Sequence, residues 1–263
     1  MQFLNKKNKI EFFHNEPSII ENFPIIESKA LKLKWVDSVK QDFQNLVKEG
    51  VDGSISSTLN RATTEATEFN HLSRCPGIFD LFKYGYVISL HKDVILNFEG
   101  KKFEWRAKGN HPPHLENFRI MGQPASNIRM IAKPPWASEV ILKINTGWNV
   151  IAPKGVKFLQ LPIAYPDTFE FTAAIGILDP ALATQINFQM FWNGTDGETV
   201  LRAGTPLGHL IPLSEKKYQM VQRNMNQRDQ VWVEKVSSIY NSTFWRPTVR
   251  RKVVDMYNKY WKR

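Results

Sequence analysis

The chain has 263 residues, of which 42% are hydrophobic and 23% are charged, and its net charge is +10. This composition is typical of a folded globular protein, so it excludes disorder along the whole chain, and the positive charge favours acidic partners. The sequence contains one cysteine, Cys75, and no apolar stretch long enough for a signal peptide or a membrane span. We therefore expect a protein of a reducing compartment that is not secreted and does not cross a membrane.

Residues 1–74 are predicted to form an N-terminal arm, a helix and a linker. No hydrophobic period is present in 1–27, which predicts an irregular arm. Apolar residues recur at helical spacing within 28–49, which predicts an amphipathic helix. Ser, Thr and Gly are frequent in 50–70, a composition typical of a linker. The apolar stripe of the predicted helix comprises Trp35, Val39, Phe43, Leu46 and Val47.

From residue 75 to residue 213 apolar residues alternate with period two, which predicts a β-rich core. The clearest predicted strand is 185–192, where every second side chain is large and apolar. The stretch 107–137 carries five prolines, so it is predicted to be mostly irregular, with short extended pieces at 117–121 and 128–132. The other predicted strands are 84–90, 94–98, 102–106, 139–144, 155–163, 169–177 and 207–213.

Residues 214–263 are predicted to form a basic helical extension. The segment 214–235 is polar and compatible with a helix, and a second helix is predicted from Arg246, with Pro247 in its first turn. An apolar stripe along this second helix predicts packing against the β-rich core, while its charged side chains face water or a partner. The stripe comprises Val249, Val253, Met256 and Tyr260, and the basic contact surface comprises Arg246, Arg250, Arg251, Lys252, Lys259, Lys262 and Arg263.

Three motifs between residues 147 and 213 resemble the β-clip fold of dUTPases and dCTP deaminases. The segment 147–155 (GWNVIAPKG) resembles the Pro-Gly turn before an apolar strand, and 176–179 (GILD) resembles the Gly-hydrophobic-Ile-Asp motif. The segment 202–211 (RAGTPLGHLI) resembles the Gly-Asp-Arg-Ile-Ala-Gln segment. The resemblance implies a mainly β fold, a β-clip-like barrel or sandwich, with amphipathic helices at its N- and C-terminal ends. It also implies a turn or nucleotide-binding motif at Gly176, Asp179 and Gly204.

The sequence departs from the dUTPases at the residues that carry their activity. In place of the Pro-Arg-Ser segment that holds phosphates, residues 161–165 read LPIAY, and Asp179 is followed by Pro180. A triphosphate requires several cationic or backbone donors that converge on it, and this set is missing. The resemblance therefore implies the fold without the hydrolytic activity. Gly176 and Gly204 are then expected to form turns that need a positive φ.

A metal centre is an alternative interpretation of the histidines. His91 and Asp93 form an H-x-D triplet, and His209 lies on a later predicted strand. Two histidines and one carboxylate make the facial triad of non-haem iron enzymes, so Fe(II) would be the cofactor of such a site. The same triplet also fits the tip of a hairpin between two strands, in which case no cofactor is expected.

The wider layout resembles an uncharacterised family of phage and bacterial proteins. This resemblance favours a non-catalytic structural or interaction protein, such as a virion or assembly component, in the cytoplasm of a host cell or in the virion. Two alternatives stay open, namely a metal-dependent enzyme and a nucleotide-binding relative of dUTPase without hydrolysis. We expect protein partners or self-association, and an acidic partner or nucleic acid at the C-terminal helix. The features shared with this family include Cys75-Pro76, Gly85-Tyr86, Pro135-Trp136 and the turns at 176–179 and 203–206.

Overall fold

The computed structural model describes residues 8–48, 75–99, 102–107, 118–124, 134–138, 140–193, 196–242 and 247–261. Within these ranges the chain is mainly β, as predicted. The strands are β1 (Lys9–His14), β2 (Ile26–Glu27), β3 (Tyr86–Ser89), β4 (Val94–Glu99), β5 (Lys102–Ala107), β6 (Phe118–Pro124), β7 (Val140–Ile151), β8 (Phe158–Leu161), β9 (Phe171–Ala173), β10 (Gly176–Leu178), β11 (Gln185–Trp192), β12 (Gly197–Leu201), β13 (Pro206–Pro212) and β14 (Gln219–Asn224). The helices are α1 (Pro17–Asn22), α2 (Lys34–Lys48), α3 (Pro76–Leu81), α4 (Gln227–Ser242) and α5 (Pro247–Tyr260), and a 3-10 turn spans Ser28–Ala30.

The strands form three separate sheets. A six-stranded sheet has the order β14-β1-β7-β11-β9, with β6 also paired to β7. A five-stranded sheet has the order β10-β8-β13-β3-β2, and β12-β4-β5 form a smaller third sheet. Each sheet has open edges, so the strands of the described ranges do not close into the barrel that was one form of the predicted fold.

The main core lies between the apolar faces of these sheets. Strand β11 shows the predicted alternation, because its four large apolar side chains are fully buried while the residues between them are only half-buried. Burial of these side chains is the main driving force for folding of the core. The four buried side chains of β11 are Ile186, Phe188, Met190 and Trp192.

The prediction of an irregular arm is wrong for Lys9–His14, which forms the interior strand β1. This strand pairs in parallel with β14 and antiparallel with β7. Ile10 and Phe12 pack into the main core, whereas Phe13 packs against the C-terminal helices. Both faces of β1 are therefore covered, which hides the alternation expected of a strand with one solvated face. The six-stranded sheet thus includes strands from outside 75–213.

The helical prediction for 214–235 is wrong for Gln219–Asn224, which forms strand β14. This segment was predicted to be helical because it is polar, but its polar side chains make specific contacts within the fold. Gln222 accepts a hydrogen bond from the backbone nitrogen of Ile25 at 2.8 Å and donates one to its carbonyl oxygen at 2.9 Å. The helices predicted in 28–49 and from Pro247 are confirmed as α2 and α5. The predicted linker 50–70 and the extended piece at 128–132 lie outside the described residues.

The C-terminal helices dock on the ends of β1 and β7. The helix packs against the β-rich core, but its buried side is rotated from the predicted stripe. Tyr257 and Trp261, which lie outside that stripe, are buried with Val253, whereas the stripe residues Met256 and Tyr260 are only partly buried. The hydroxyl of Tyr257 donates to the carbonyl oxygen of Ala152 and accepts from its backbone nitrogen, each at 3.1 Å. These two bonds fix α5 at one position on the sheet.

An ion triad around one buried carboxylate connects β14, β1 and α4. The guanidinium of Arg223 donates to both carboxylate oxygens of Asp229, and its Nε donates to Glu11 at 3.0 Å. Asp229 is fully buried and also accepts from the backbone nitrogen of Asn226 at 2.9 Å, while the Asn226 side chain accepts from the backbone nitrogen of Asp229 at 3.0 Å. This reciprocal pair is a capping box at the start of α4.

Candidate functional site

The structure does not bring His91, Asp93 and His209 together. His91 and Asp93 lie in the loop between β3 and β4, whereas His209 lies on β13 opposite Val87 of β3. Four positions along the chain separate Val87 from His91, or roughly 13 Å of extended chain. The Nε2 atom of His209 instead lies 2.6 Å from the carbonyl oxygen of Tyr84. The described ranges contain no group of three His, Cys, Asp or Glu side chains that could hold a metal. The structure therefore keeps the three residues of the predicted facial triad apart.

Asp93 instead holds the turn that precedes β13. Its carboxylate accepts from Arg202 Nη1 at 2.9 Å and from the backbone nitrogen of Ala203 at 2.8 Å. Gly204 in this turn has φ +89°, as expected, and its nitrogen donates to the carbonyl oxygen of Leu90 at 2.7 Å. The contacts of Asp93 therefore stabilise this turn.

The other predicted motif residues lie at the opposite end of β13. Leu178 pairs with Phe158, and Phe158 pairs with Pro212, so Asp179 lies beyond the C-terminal end of β13 while Gly204 precedes its start. The strand between them is seven residues long, or roughly 23 Å. The two residues therefore do not form one site within the chain.

Asp179 stabilises the turn after β10. Its side chain accepts from the backbone nitrogen of Ala181 at 3.1 Å and lies 3.4 Å from Lys157 Nζ. Gly176 lies within β10, has no positive φ, and leaves open space where a Cβ would be. The expectation of a positive φ at Gly176 is wrong, because this glycine continues a strand.

A pair of buried histidines is a feature that the sequence interpretation missed. His14 ends β1, and its ring lies 5.9 Å from that of His91 and 5.2 Å from that of Trp148, measured between centroids. Burial lowers the pKa of His14 from 6.5 to about 4. Burial, the neighbouring His14 and the charge of Lys92 lower the pKa of His91 to about 3. His14 was missed because it fell in the predicted arm.

We expect these histidines to make the protein less stable in mild acid. Both stay neutral in the folded state near pH 5, whereas the unfolded chain binds protons near pH 6.5. The unfolded state therefore binds more protons between pH 6.5 and about 4, so the free energy of unfolding falls as the pH falls. Each histidine contributes a loss of about 2 kcal/mol between pH 7 and pH 5.

Urea unfolding at pH 7 and at pH 5 measures this loss. His91→Gln removes one titrating group, so the difference between the two pH values should shrink by about 2 kcal/mol in this variant, whatever its stability at pH 7. An unchanged pH dependence in His91→Gln would contradict the assignment.

An exposed apolar surface covers the outer face of the five-stranded sheet at its β10 edge. Ile177, Leu159 and Ile211 are aligned across β10, β8 and β13. The next residues along these strands, Leu178 and Phe158, pack into the main core. Because successive residues of a strand point to opposite faces, Ile177, Leu159 and Ile211 point outward. Ile177 is 56% exposed, and two further side chains of this face, Ile175 and Leu213, are 70% and 49% exposed. We name this surface the β10 patch, and it comprises Leu159, Ile175, Ile177, Ile211 and Leu213.

A neighbouring part of the same outer face is already covered. His209 lies two residues before Ile211 on β13, so its side chain also points to the outer face. Val87 of β3 is aligned with His209 and therefore points to the outer face as well. Leu33 packs on Val87 there, together with the half-buried Trp35 at the start of α2. The outer face of the five-stranded sheet therefore also carries apolar side chains, and the β10 patch is the part of it that the described residues leave exposed. Consecutive apolar residues in β8 and β13 could have indicated a sheet with two apolar faces.

An apolar groove lies beside the start of β13. Its volume is about 360 Å³, and its rim carries Trp136 and Phe169, which are 46% and 70% exposed. Asn193 stabilises this rim, because its side chain donates to the carbonyl oxygen of Phe169 at 3.2 Å. The part of the lining that the structure describes has no charged side chain, so it does not offer the cationic donors that a phosphate group requires. The remaining lining residues are Pro162, Ile163, Pro166, Thr168, Phe171, Thr172, Ala173, Pro206 and Leu207.

The basic contact surface is partly described by the structure. Arg250, Arg251, Lys252 and Lys259 are exposed on α5. Among the described residues, no carboxylate lies within ion-pair distance of these four side chains. The predicted members Arg246, Lys262 and Arg263 lie outside the described residues.

Comparison with known proteins finds no protein-family model that matches the chain and no curated protein with significant similarity to it. Among the described residues, no helix is both long enough and apolar enough to cross a membrane.

Proposed function

We propose that this chain is a non-catalytic structural or interaction protein that associates with a second copy of itself through the β10 patch. The observation that carries the proposal is the exposed apolar part of the outer face of the five-stranded sheet, where Ile177, Leu159 and Ile211 are aligned. A sheet face in contact with water usually carries polar side chains, and large exposed apolar patches mark interaction sites. The resemblance of the layout to phage and bacterial proteins supports a role as a virion or assembly component, in the host cytoplasm or the virion.

The contacts of the candidate catalytic residues support a non-catalytic role. Asp93 is engaged with Arg202 and a turn, and Asp179 is engaged with Lys157 and another turn. His209 lies against a backbone carbonyl oxygen on the face of a sheet. Each of these groups has a structural task, and none of them meets a second candidate residue in the way that acid–base or metal chemistry requires.

The positions of the three motifs support a β-clip-like core. The 147–155 segment ends β7 and turns towards β8, and the 176–179 segment includes β10. The 202–211 segment contains the turn with Gly204 and most of β13. In this interpretation the motif residues serve the shape of the fold and do not bind a nucleotide.

A second copy is the partner that best fits the β10 patch. Strand β10 is an edge strand, so its outer backbone groups can pair with another edge. A two-fold axis beside β10 would pair it with its own copy, and the apolar faces of both chains would meet at the same time. The charged residues that adjoin the patch, Lys157 and Asp179, pair with each other at 3.4 Å, so they add no net charge at the edge of this contact.

We expect the protein to form a dimer that Ile177→Lys disrupts. A lysine at the centre of an apolar contact places an unpaired charge there, so the dimer Kd should rise at least tenfold, or about 1.4 kcal/mol. Light scattering after size exclusion, over a range of concentrations, measures this shift.

Val231→Lys is the matched control for Ile177→Lys. Val231 is 49% exposed on α4, so its replacement adds the same charge to an exposed apolar position outside the patch. This variant should dimerise like the wild type. A wild-type protein that stays monomeric at high micromolar concentration would reject self-association, and equal loss in both variants would reject the β10 patch as its site.

A further inference from the structure

Helix α5 carries three exposed cations on its outward side, and the helix itself is fixed to the core. Val253, Tyr257 and Trp261 are buried, and the hydroxyl of Tyr257 makes two hydrogen bonds to the backbone of Ala152. Lys252 and Lys259 are exposed and lie seven residues apart, which is about two turns or roughly 10 Å along the helix. From this arrangement we infer that the exposed face of α5 binds the phosphate backbone of double-stranded nucleic acid without sequence preference. We name Arg251, Lys252 and Lys259, which lie on the side of the helix away from the buried residues, the α5 face, whereas Arg250 lies roughly 160° around the helix from Lys252.

The charge of the α5 face is available to a partner. Its three cations have no carboxylate within ion-pair distance among the described residues, although Asp255, the one acidic residue of the helix, lies four positions from both Arg251 and Lys259. The chain as a whole carries +10, so a polyanion is attracted from a distance and held where unpaired cations cluster. Cations arranged along one helix are suited to a partner whose charges repeat at regular intervals, as the phosphates of a duplex do.

The packing of α5 argues against insertion into a membrane. A helix that binds at a membrane interface buries an apolar face among the lipids. Here the apolar face of α5 is occupied by Phe13, Ile151 and Trp232 of the same chain. Insertion would therefore require α5 to leave the core and break both hydrogen bonds of Tyr257.

The aromatic residues of α5 argue for a duplex and against a single strand. Single-stranded nucleic acid is held by bases that stack on exposed aromatic rings. Tyr257 and Trp261 are 3% and 8% exposed, and the guanidinium of Arg228 lies 4.8 Å above the ring of Tyr260. No aromatic ring of this helix is therefore open for stacking, whereas its cations remain accessible to phosphates.

Fluorescence anisotropy with a labelled duplex of about 20 base pairs and arbitrary sequence tests the inference. Three phosphate contacts give a slope of log K against log salt near −2.7, which corresponds to roughly 40-fold weaker binding at 200 mM than at 50 mM salt. The triple variant Arg251→Gln, Lys252→Gln, Lys259→Gln should reduce this slope to about zero and weaken binding at 50 mM salt at least tenfold.

A control variant removes the same amount of charge elsewhere. Lys32, Lys216 and Lys217 are exposed residues outside the C-terminal helices, and their replacement by Gln should leave the slope and the affinity within about twofold of the wild type. Equal loss in both triple variants would show general charge attraction and overturn the inference. Binding to vesicles of phosphatidylserine and phosphatidylcholine without binding to the duplex would also overturn it.

The outcome is separable from the test of self-association. The α5 triple variant should dimerise like the wild type, and Ile177→Lys should keep its salt-dependent affinity for the duplex per chain within a few fold. Circular dichroism of each variant checks that the helices are intact, because a substitution on the exposed side of α5 leaves its buried contacts in place.

Discussion

Replacement of Arg223 by methionine should lower the free energy of unfolding by about 3–5 kcal/mol. Arg223 is the cationic partner of Asp229, whose carboxylate is fully buried at the start of α4. Without the guanidinium, a buried negative charge is left with only the backbone nitrogen of Asn226 as a donor. The contact of β14 with Glu11 of β1 is lost as well. Urea unfolding followed by circular dichroism measures the effect.

Two further variants isolate the cause of this loss. The double variant Arg223→Met, Asp229→Asn removes both charges while the amide oxygen of the new side chain still accepts from Asn226, so it should recover at least half of the lost stability. Glu11→Gln should cost only about 1 kcal/mol, because the Glu11 side chain is 19% exposed and water replaces part of the contact. A loss below about 1 kcal/mol in Arg223→Met would show that the triad does not hold the C-terminal helices.

The substitution Gly208→Ala should destabilise the protein by about 3 kcal/mol or more, at the upper end of the overpacking range. Gly208 lies in the middle of β13, and a Cβ at this position would lie 2.1 Å from Cε1 and 2.7 Å from Cδ1 of Phe188. Phe188 is fully buried between the sheets, so its ring cannot move into solvent. Either the ring or the strand must shift, and both movements disturb the main core. Thermal unfolding reports the change.

Two other Gly→Ala variants separate the clash from backbone strain. Gly155 has φ +82° and open space around its Cβ position, so Gly155→Ala should cost about 1–2 kcal/mol from backbone strain alone. Gly176 has neither a positive φ nor a neighbour within 4 Å, so Gly176→Ala should change stability by less than about 0.5 kcal/mol. If Gly208→Ala were as neutral as Gly176→Ala, the packing of β13 on β11 described above would be wrong.

The candidate surfaces differ in how far the sequence predicted them. The cations of α5 were predicted, because a basic helix with an apolar stripe is visible in the order of residues. The β10 patch was not predicted, because the outward direction of Ile177 depends on its alignment with Leu159 and Ile211 in two other strands. The iron triad was predicted from residue types, whereas the distance between its members depends on strand alignment, which separates His91 from His209.

Local patterns were sufficient to predict the mainly β character, the buried face of β11 and the start of α5 at Pro247. Such patterns depend on side chains a few positions apart, whose directions follow from the geometry of a single strand or helix. The place of β1 and β14 within one sheet, and the triad of Arg223 with Asp229 and Glu11, were beyond these patterns. Arg223 and Glu11 are 212 positions apart, so their contact arises from the packing of the whole fold, and no local period records it.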